Sequence, residues 1–204
     1  MRAKAVDFKV TYINLREKPD WFLKISPHGK VPVLSVDDVP LFESNAIAEY
    51  LDETVAPRLH PEDPMSRARN RAWTDFVADF SSALSAVYYA KTAQASSEAM
   101  ELARVRLGRV DKVIGERSND GPFFNGADLS LVDCAYAPFF QRFEFVEKRL
   151  QTGLLKEFPN VQAWADVLLA DERVIGSVAD SFAEAFKSNL HRRESHAAPL
   201  FEAA

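Results

Sequence analysis

The sequence predicts an α+β protein in which a small domain of short strands and helices precedes an all-helical domain. Two observations carry this prediction. Short apolar runs broken by proline, glycine and paired aspartates fill residues 1–57, whereas apolar residues recur at spacings of three and four through residues 65–188. Between them, residues 59–64 are rich in proline and polar residues, which indicates a linker. The tail, residues 189–204, has little periodicity and is expected to be loose.

The first domain is expected to hold three strands, one helix, and a short segment that is a helix or a turn. An alternation of apolar and polar side chains marks its first strand, and proline or paired aspartates bound the others. Pro40 cannot donate a hydrogen bond, so the last strand is expected at a sheet edge. The expected elements are strands at 6–15, 31–36 and 39–42, a hairpin turn at Asp37-Asp38, a short helix or turn at 18–23, and a helix from Ser44 onward.

The second domain is predicted to consist of helices alone. Ser130 and Asp133 have the spacing of a capping box, which indicates a helix start and a structural role. Cys134 follows on the same helix and is expected to be a small core residue. The predicted helices cover residues 65–92, 95–116, 130–147, 158–170 and about 172–188.

Composition narrows the class of protein. Lys and Arg number 25 against 30 Asp and Glu, so the net charge of −5 argues against nucleic acid or an anionic membrane as the partner. One cysteine excludes an internal disulfide and suits a reducing compartment. No apolar run approaches the roughly 18 residues that span a bilayer, and the basic start, Met1–Ala5, has no apolar segment behind it. The four histidines lack metal-ligand spacing, so no metal is expected. Together these features predict a cytoplasmic protein.

Residues 28–44 hold the candidate binding residues. Val31-Pro32 opens a strand, and on base rates the peptide is trans. A cis peptide would instead turn the backbone of Val31 outward, where a ligand's peptide group could pair with it. Glu43 and Ser44 stand at a helix start, where Ser44 suits an N-cap. The same pair also suits a free amino-acid end, because the helix N-terminus favours a carboxylate and Glu43 favours an ammonium.

Three segments in order carry a resemblance to a known family. They are Lys-Pro-Asp-Trp-Phe at 18–22, Ser-Pro-His-Gly-Lys-Val-Pro-Val-Leu at 26–34 and Phe-Glu-Ser-Asn-Ala-Ile-Ala-Glu-Tyr-Leu-Asp-Glu at 42–53, followed by the Gly-x-x-Leu-Ser-x-x-Asp motif. Over residues 5–185 the chain resembles the cytosolic glutathione transferases, and most of all their omega class. The resemblance implies a thioredoxin-like domain at 1–57, an all-α helical-bundle domain at 65–188, and a homodimer.

The resemblance also implies a glutathione site. Val31 would pair its backbone with the cysteinyl part of glutathione, next to a cis Pro32. Glu43 and Ser44 would bind the γ-glutamyl end, and Lys18 matches a lysine that contacts glutathione in the omega class. Glutathione would be the co-substrate, and a small electrophile or a disulfide would be the second substrate.

The same family places a strand and a Cys- or Ser-bearing helix ahead of the strand at residues 6–15, where this sequence has five residues. The thioredoxin-like domain is therefore expected to be partial, through a misassigned start codon or, less favoured, as a truncated paralogue. The catalytic residue is unknown, and the 204-residue chain is expected to show at most trace activity.

Two functions remain open from the sequence. The first is an enzyme that conjugates glutathione to an electrophile or performs glutathione-dependent thiol transfer. The second is a catalytically inactive binding or interaction dimer with the same fold. The coding sequence upstream of Met1 distinguishes them, since an in-frame Cys-Pro or Ser-Pro followed by a helical pattern favours the enzyme.

Overall fold

The computed structural model describes residues 1–202, which form two compact units, one over Met1–Arg67 and one beginning at Ala68. The predicted α+β class is confirmed, because a small sheet with helices precedes a set of helices. The strands are β1 (Val33–Val36) and β2 (Val39–Phe42). The helices are α1 (Asp20–Ile25), α2 (Ser44–Thr54), α3 (Pro64–Tyr89), α4 (Ala93–Gly115), α5 (Leu131–Leu150), α6 (Pro159–Ala170), α7 (Glu172–Ile175) and α8 (Phe182–Arg192), with short 3₁₀ turns at Arg2–Lys4, Leu154–Glu157 and Ala198–Phe201.

The strands β1 and β2 form an antiparallel hairpin that pairs Val33 with Phe42 and Val36 with Val39. Asp37 and Asp38 make the turn with φ angles of 47° and 65°. Aspartate tolerates these left-handed angles better than most residues, and two of them in succession match the twist of a tight hairpin. The predicted turn is confirmed, and it brings the two ends of the hairpin together.

The predicted strand at residues 6–15 is wrong. Residues 6–14 have no regular secondary structure, and the side chains of Phe8, Val10 and Tyr12 are 39%, 52% and 75% exposed. An alternating segment becomes a strand only when a neighbour accepts its backbone hydrogen bonds. Within residues 1–202 the sheet has two strands, β1 and β2, and this segment pairs with neither.

A buried lysine fixes the start of the chain to the end of α2. Lys4 is 6% exposed, and its Nζ lies 3.0 Å from Asp52 Oδ1. The same ammonium donates to the carbonyls of Val55 and Pro57, each over 2.6 Å. Burial raises the pKa of the Asp52 carboxyl, but hydrogen bonds from the Leu59 N–H and from Lys4 outweigh it, so the pKa lies below its usual value.

Asp52 should therefore make stability depend on pH at the acid end. Because its pKa is lower in the folded than in the unfolded state, the carboxylate stabilises the fold above the unfolded pKa of about 3.9 and loses this effect as the pH falls through the folded pKa. We expect Asp52→Asn to melt at a lower temperature than the wild type at pH 7. The difference between the two melting temperatures should be smaller at pH 3. Glu53→Gln, an exposed neighbour on α2, is the control. A difference in melting temperature that is the same at pH 7 and at pH 3 contradicts this role of the Asp52 carboxylate.

The core of the second unit is a cluster of aromatic rings. Phe80 of α3 lies 4.8 Å from Tyr136 of α5 between ring centroids, and Trp164 of α6 lies 5.2 Å from Tyr136 and 5.4 Å from Phe140. All four rings are at most 2% exposed. Offset and edge-to-face rings add about 0.5–1.5 kcal/mol per pair to the burial itself. The cluster therefore ties together three helices that are far apart in sequence.

The predicted capping box at the start of α5 is confirmed. The Ser130 hydroxyl oxygen accepts a hydrogen bond from the Asp133 N–H, and the Asp133 carboxylate accepts one from the Ser130 N–H over 2.7 Å. The same carboxylate also accepts bonds from the Phe124 N–H at 2.9 Å and from the Trp164 indole N–H at 2.6 Å. Asp133 is 0% exposed. One carboxylate thus joins a helix start, the preceding loop and the aromatic core.

Two predictions for the C-terminal region are wrong. The helix expected over 172–188 is two helices, because α7 ends at Ile175 and α8 begins at Phe182. The tail expected to be loose is packed where the structure describes it: the Ser195 hydroxyl donates to the Tyr88 carbonyl over 2.6 Å, and Leu190 is 0% exposed. These contacts join residues about a hundred positions apart, so local periodicity could not reveal them. Residues 203 and 204 of the expected tail lie outside the described residues.

Candidate functional site

Four of the five residues chosen from the sequence line one small cleft in the first unit. The cleft has a volume of about 70 Å³. The hairpin β1–β2 folds its own ends together, so residues before β1 meet residues after β2. The lining residues are Ser26, His28, Lys30, Val31, Pro32, Phe42, Glu43 and Ser44.

The backbone of Val31 is open to a ligand. The Val31–Pro32 peptide is cis, as the family resemblance implied. Val31 is 47% exposed, and within residues 1–202 neither its N–H nor its C=O forms a hydrogen bond. An unpaired N–H and C=O beside a strand can accept an extended peptide as an added strand. The geometry therefore suits a ligand that carries a peptide bond.

Glu43 has an unusual backbone conformation at the other wall of the cleft. Its φ of 67° and ψ of 121° lie in a region that non-glycine residues rarely adopt, and such residues concentrate at binding sites. Glu43, rather than Ser44, is the N-cap of α2, so the predicted N-cap at Ser44 is wrong by one position. Glu43 forms no capping bond through its side chain. A carboxylate and the positive end of a helix therefore lie side by side at the cleft.

Lys18 is the fifth predicted residue and does not line the cleft, although it lies beside it. A β-carbon at Gly29 would come within 3.3 Å of the Lys18 ammonium nitrogen, and Gly29 itself has a φ of 57°. Glycine at this position therefore leaves space for the lysine and permits the left-handed turn. The arrangement places a positive charge next to the loop that carries His28 and Lys30.

Four lining residues escaped the sequence analysis as site residues: Ser26, His28, Lys30 and Phe42. Ser26 is 3% exposed and binds Lys30 twice, donating to its carbonyl over 2.9 Å and accepting from its N–H over 3.0 Å. These bonds shape the loop that presents Val31. The rings of His28 and Phe42 meet edge to face at 5.6 Å. The sequence signal for this loop was a serine four residues before a lysine, with proline and glycine between them.

Cys134 is on α5 of the second unit and is not one of the residues that line the cleft. Burial raises the pKa of its thiol to about 11, so the thiolate is scarce at neutral pH. We expect a thiol reagent to label the native protein slowly and the unfolded protein fast, with Cys134→Ala keeping any turnover. Since this is the chain's one cysteine, the label reports on it alone. Rapid native labelling together with lost turnover in Cys134→Ala contradicts this role.

Among residues 1–202, no group of three or more His, Cys, Asp or Glu side chains is placed to hold a metal ion. None of the helices in this part of the chain is long and apolar enough to cross a membrane.

Comparison with known proteins identifies the family. The family described as glutathione S-transferase, N-terminal domain, matches residues 1–53, and glutathione S-transferase, C-terminal domain, matches residues 97–166. Glutathione S-transferase U22 of Arabidopsis thaliana is 32% identical over 191 residues, which cover 89% of this chain and 83% of that protein. Glutathione S-transferase omega-1 of Sus scrofa is 27% identical over 176 residues, covering 85% and 71%.

Solved structures agree with this fold. The Tau class glutathione S-transferase from mango, Mangifera indica, superposes with a TM-score of 0.79 at 26% identity, covering 95% of this chain and 92% of that one. Glutathione transferase Omega 3C from Trametes versicolor gives a TM-score of 0.80 at 24% identity, covering 95% and 83%. The fold is that of a thioredoxin-like domain followed by a helical domain. The chain belongs to the glutathione S-transferase family.

Proposed function

We propose that this protein binds glutathione in the cleft of its first unit and transfers it, either by conjugation to a small electrophile or by thiol transfer to a disulfide. The observation that carries the proposal is the meeting of Val31, Pro32, Glu43 and Ser44 in one cleft. Residues 1–57 would then be the glutathione-binding domain, and residues 65–188 the helical domain. Glutathione is the co-substrate, and no metal is required.

The chemistry of glutathione fits these residues one by one. Its peptide group can pair with the open N–H and C=O of Val31. Its γ-glutamyl end carries an ammonium for the Glu43 carboxylate and a carboxylate for the first turn of α2 at Ser44. Its glycyl carboxylate suits a cation, and Lys18 lies beside the cleft. Each charged group of the ligand therefore has a favourable partner: a carboxylate, the N-terminus of a helix, or a lysine.

The group that activates the glutathione thiol is not assigned to any lining residue. The Ser26 hydroxyl is occupied by Lys30, and the proposal uses Ser44 to bind the γ-glutamyl end. Cys134 is half-buried, and desolvation raises the pKa of its thiol, which disfavours the thiolate. The proposal therefore separates two steps: binding, which the cleft can perform, and turnover, which needs a thiol-activating group besides these three.

Calorimetric titration of the 204-residue chain with glutathione tests the first step, and assays with an aryl halide and with a mixed disulfide test the second. Saturable binding with turnover supports the enzyme. Saturable binding without turnover supports the second candidate, an inactive glutathione transferase-like binding dimer. Absence of saturable binding contradicts the proposed site.

The class and the assembly are further parts of the proposal. We assign the chain to an omega-like class on the segment from Lys18 to Phe22, with the Tau class as the rival, since relatives named for both match. We also propose a cytoplasmic homodimer that acts in detoxification. The single cysteine suits the reducing cytoplasm, and the dimer and the detoxification role rest on the family resemblance. Sedimentation of the purified protein tests the dimer, and a monomer at micromolar concentration contradicts it.

A further inference from the structure

Two arginines at the end of α8 share one hydrogen-bond acceptor. Arg192 and Arg193 both donate to the side-chain oxygen Oδ1 of Asn189, the second through its Nε over 3.3 Å. The guanidinium of Arg193 also lies over the ring of Tyr89, 4.2 Å from the centroid. Two like charges are thus held close together, which is unfavourable unless an opposite charge or solvent offsets it.

No carboxylate supplies that opposite charge within the described part of the chain. Across residues 1–202, neither Arg192 nor Arg193 forms an ion pair with an acidic side chain. The nearby acidic groups already have other basic side chains as partners. These pairs are Glu194 with Lys91 at 2.6 Å, Glu184 with Lys187 at 2.9 Å and Glu202 with His191 at 3.5 Å.

The Tyr89 hydroxyl completes the arrangement. It accepts a hydrogen bond from Asn189 Nδ2 over 2.9 Å, which leaves its own proton for a further acceptor. Burial raises the pKa of this hydroxyl, and the positive charges of Arg193, Arg142 and Arg192 lower it by less. The hydroxyl therefore stays protonated at neutral pH. Arg142 of α5 thus adds a third positive charge near the same group.

We propose that Arg192, Arg193 and the Tyr89 hydroxyl form a binding site for an oxyanion, that is, a carboxylate, sulfonate or phosphate group. Guanidinium groups bind such oxygens through two parallel N–H bonds. Basic residues at a helix C-terminus also offset the helix dipole, which explains their presence there but not their convergence on one amide oxygen. The site lies wholly in the second unit, and it does not depend on the proposed glutathione function.

Calorimetric titration at constant ionic strength tests the site with three probes: inorganic phosphate, benzenesulfonate and benzyl alcohol. Constant ionic strength removes the general screening that any added salt produces. Saturable binding of an anion but not of the neutral alcohol supports the site. Tighter binding of benzenesulfonate points to an oxyanion carried on an aromatic group, and tighter binding of phosphate points to the free ion. Absence of saturable binding by both anions overturns the proposal.

Substitutions of the two arginines test whether the anion binds at this place. Arg192→Gln and Arg193→Gln should each lower the affinity for the more tightly bound anion by about fivefold. This loss corresponds to an exposed ion pair of about 1 kcal/mol. Lys187→Gln on the same helix removes the same charge from a lysine already paired with Glu184, and it should leave the affinity unchanged. Melting curves confirm that each variant is folded. Unchanged affinity in both arginine variants, or an equal loss in the lysine variant, contradicts the site.

Discussion

Replacing Asp133 with alanine should lower the free energy of unfolding by about 3 kcal/mol or more. The carboxylate accepts four hydrogen bonds, from the N–H and hydroxyl of Ser130, the Phe124 N–H and the Trp164 indole N–H, at 2.6–2.9 Å. Removing it orphans several buried donors at once, each costing about 1–3 kcal/mol. The measurement is the midpoint of urea denaturation at pH 7.

Two further variants separate the causes. Asp128→Ala removes an exposed carboxylate five positions earlier in the chain, and its midpoint should match the wild type. Ser130→Ala removes the cap hydroxyl but leaves Asp133 with three of its donors, so it should cost less, about 1 kcal/mol. A midpoint for Asp133→Ala equal to that of Asp128→Ala would show that the network does not support the helical unit.

Glutathione affinity should fall about tenfold in Glu43→Gln and again in Ser44→Ala, if the proposed pose is correct. A tenfold loss corresponds to about 1.4 kcal/mol, within the range for a hydrogen bond to a charged group. Glu43→Gln removes the partner of the γ-glutamyl ammonium, and Ser44→Ala removes a partner of the γ-glutamyl carboxylate. Calorimetric titration measures the affinity, and Glu53→Gln at the far end of α2 is the matched control.

Glu43→Gly separates the backbone from the side chain. Glycine adopts a positive φ without cost, so this variant should be more stable than the wild type by about 1 kcal/mol. It lacks the carboxylate, so it should bind glutathione as weakly as Glu43→Gln. Affinity that is unchanged in all three variants means that the ligand does not use this wall of the cleft.

The parts of the fold that the sequence predicted are those set by short-range contacts. The turn at Asp37-Asp38 and the capping box of Ser130 and Asp133 each depend on residues within four positions, and both are present. The cleft follows from the same turn, because a tight hairpin brings Val31 near Glu43 whatever the rest of the chain does. Sequence reasoning could therefore find most of this site.

The predictions that were wrong depend on distant contacts. The alternation of residues 6–15 specifies which side chains could face a core, but a strand forms only where another strand accepts its bonds. The tail lacks periodicity, yet Ser195 and His196 bind the carbonyls of Tyr88 and Ala90 at the end of α3. No pattern within the tail encodes partners that lie a hundred residues earlier.

The irregular segment after Lys4 has a practical consequence for proteolysis. Trypsin needs an extended, accessible stretch of backbone, and Lys9 lies in one, whereas Lys4 is buried against Asp52. Lys18 is followed by Pro19, and trypsin does not cleave the bond between a lysine and a proline. Brief digestion of the native protein should therefore cut first after Lys9 or Arg16. The peptide Met1–Lys9 would then stay attached through Lys4, so that a nicked protein could elute intact from a sizing column and reveal the cut only after denaturation.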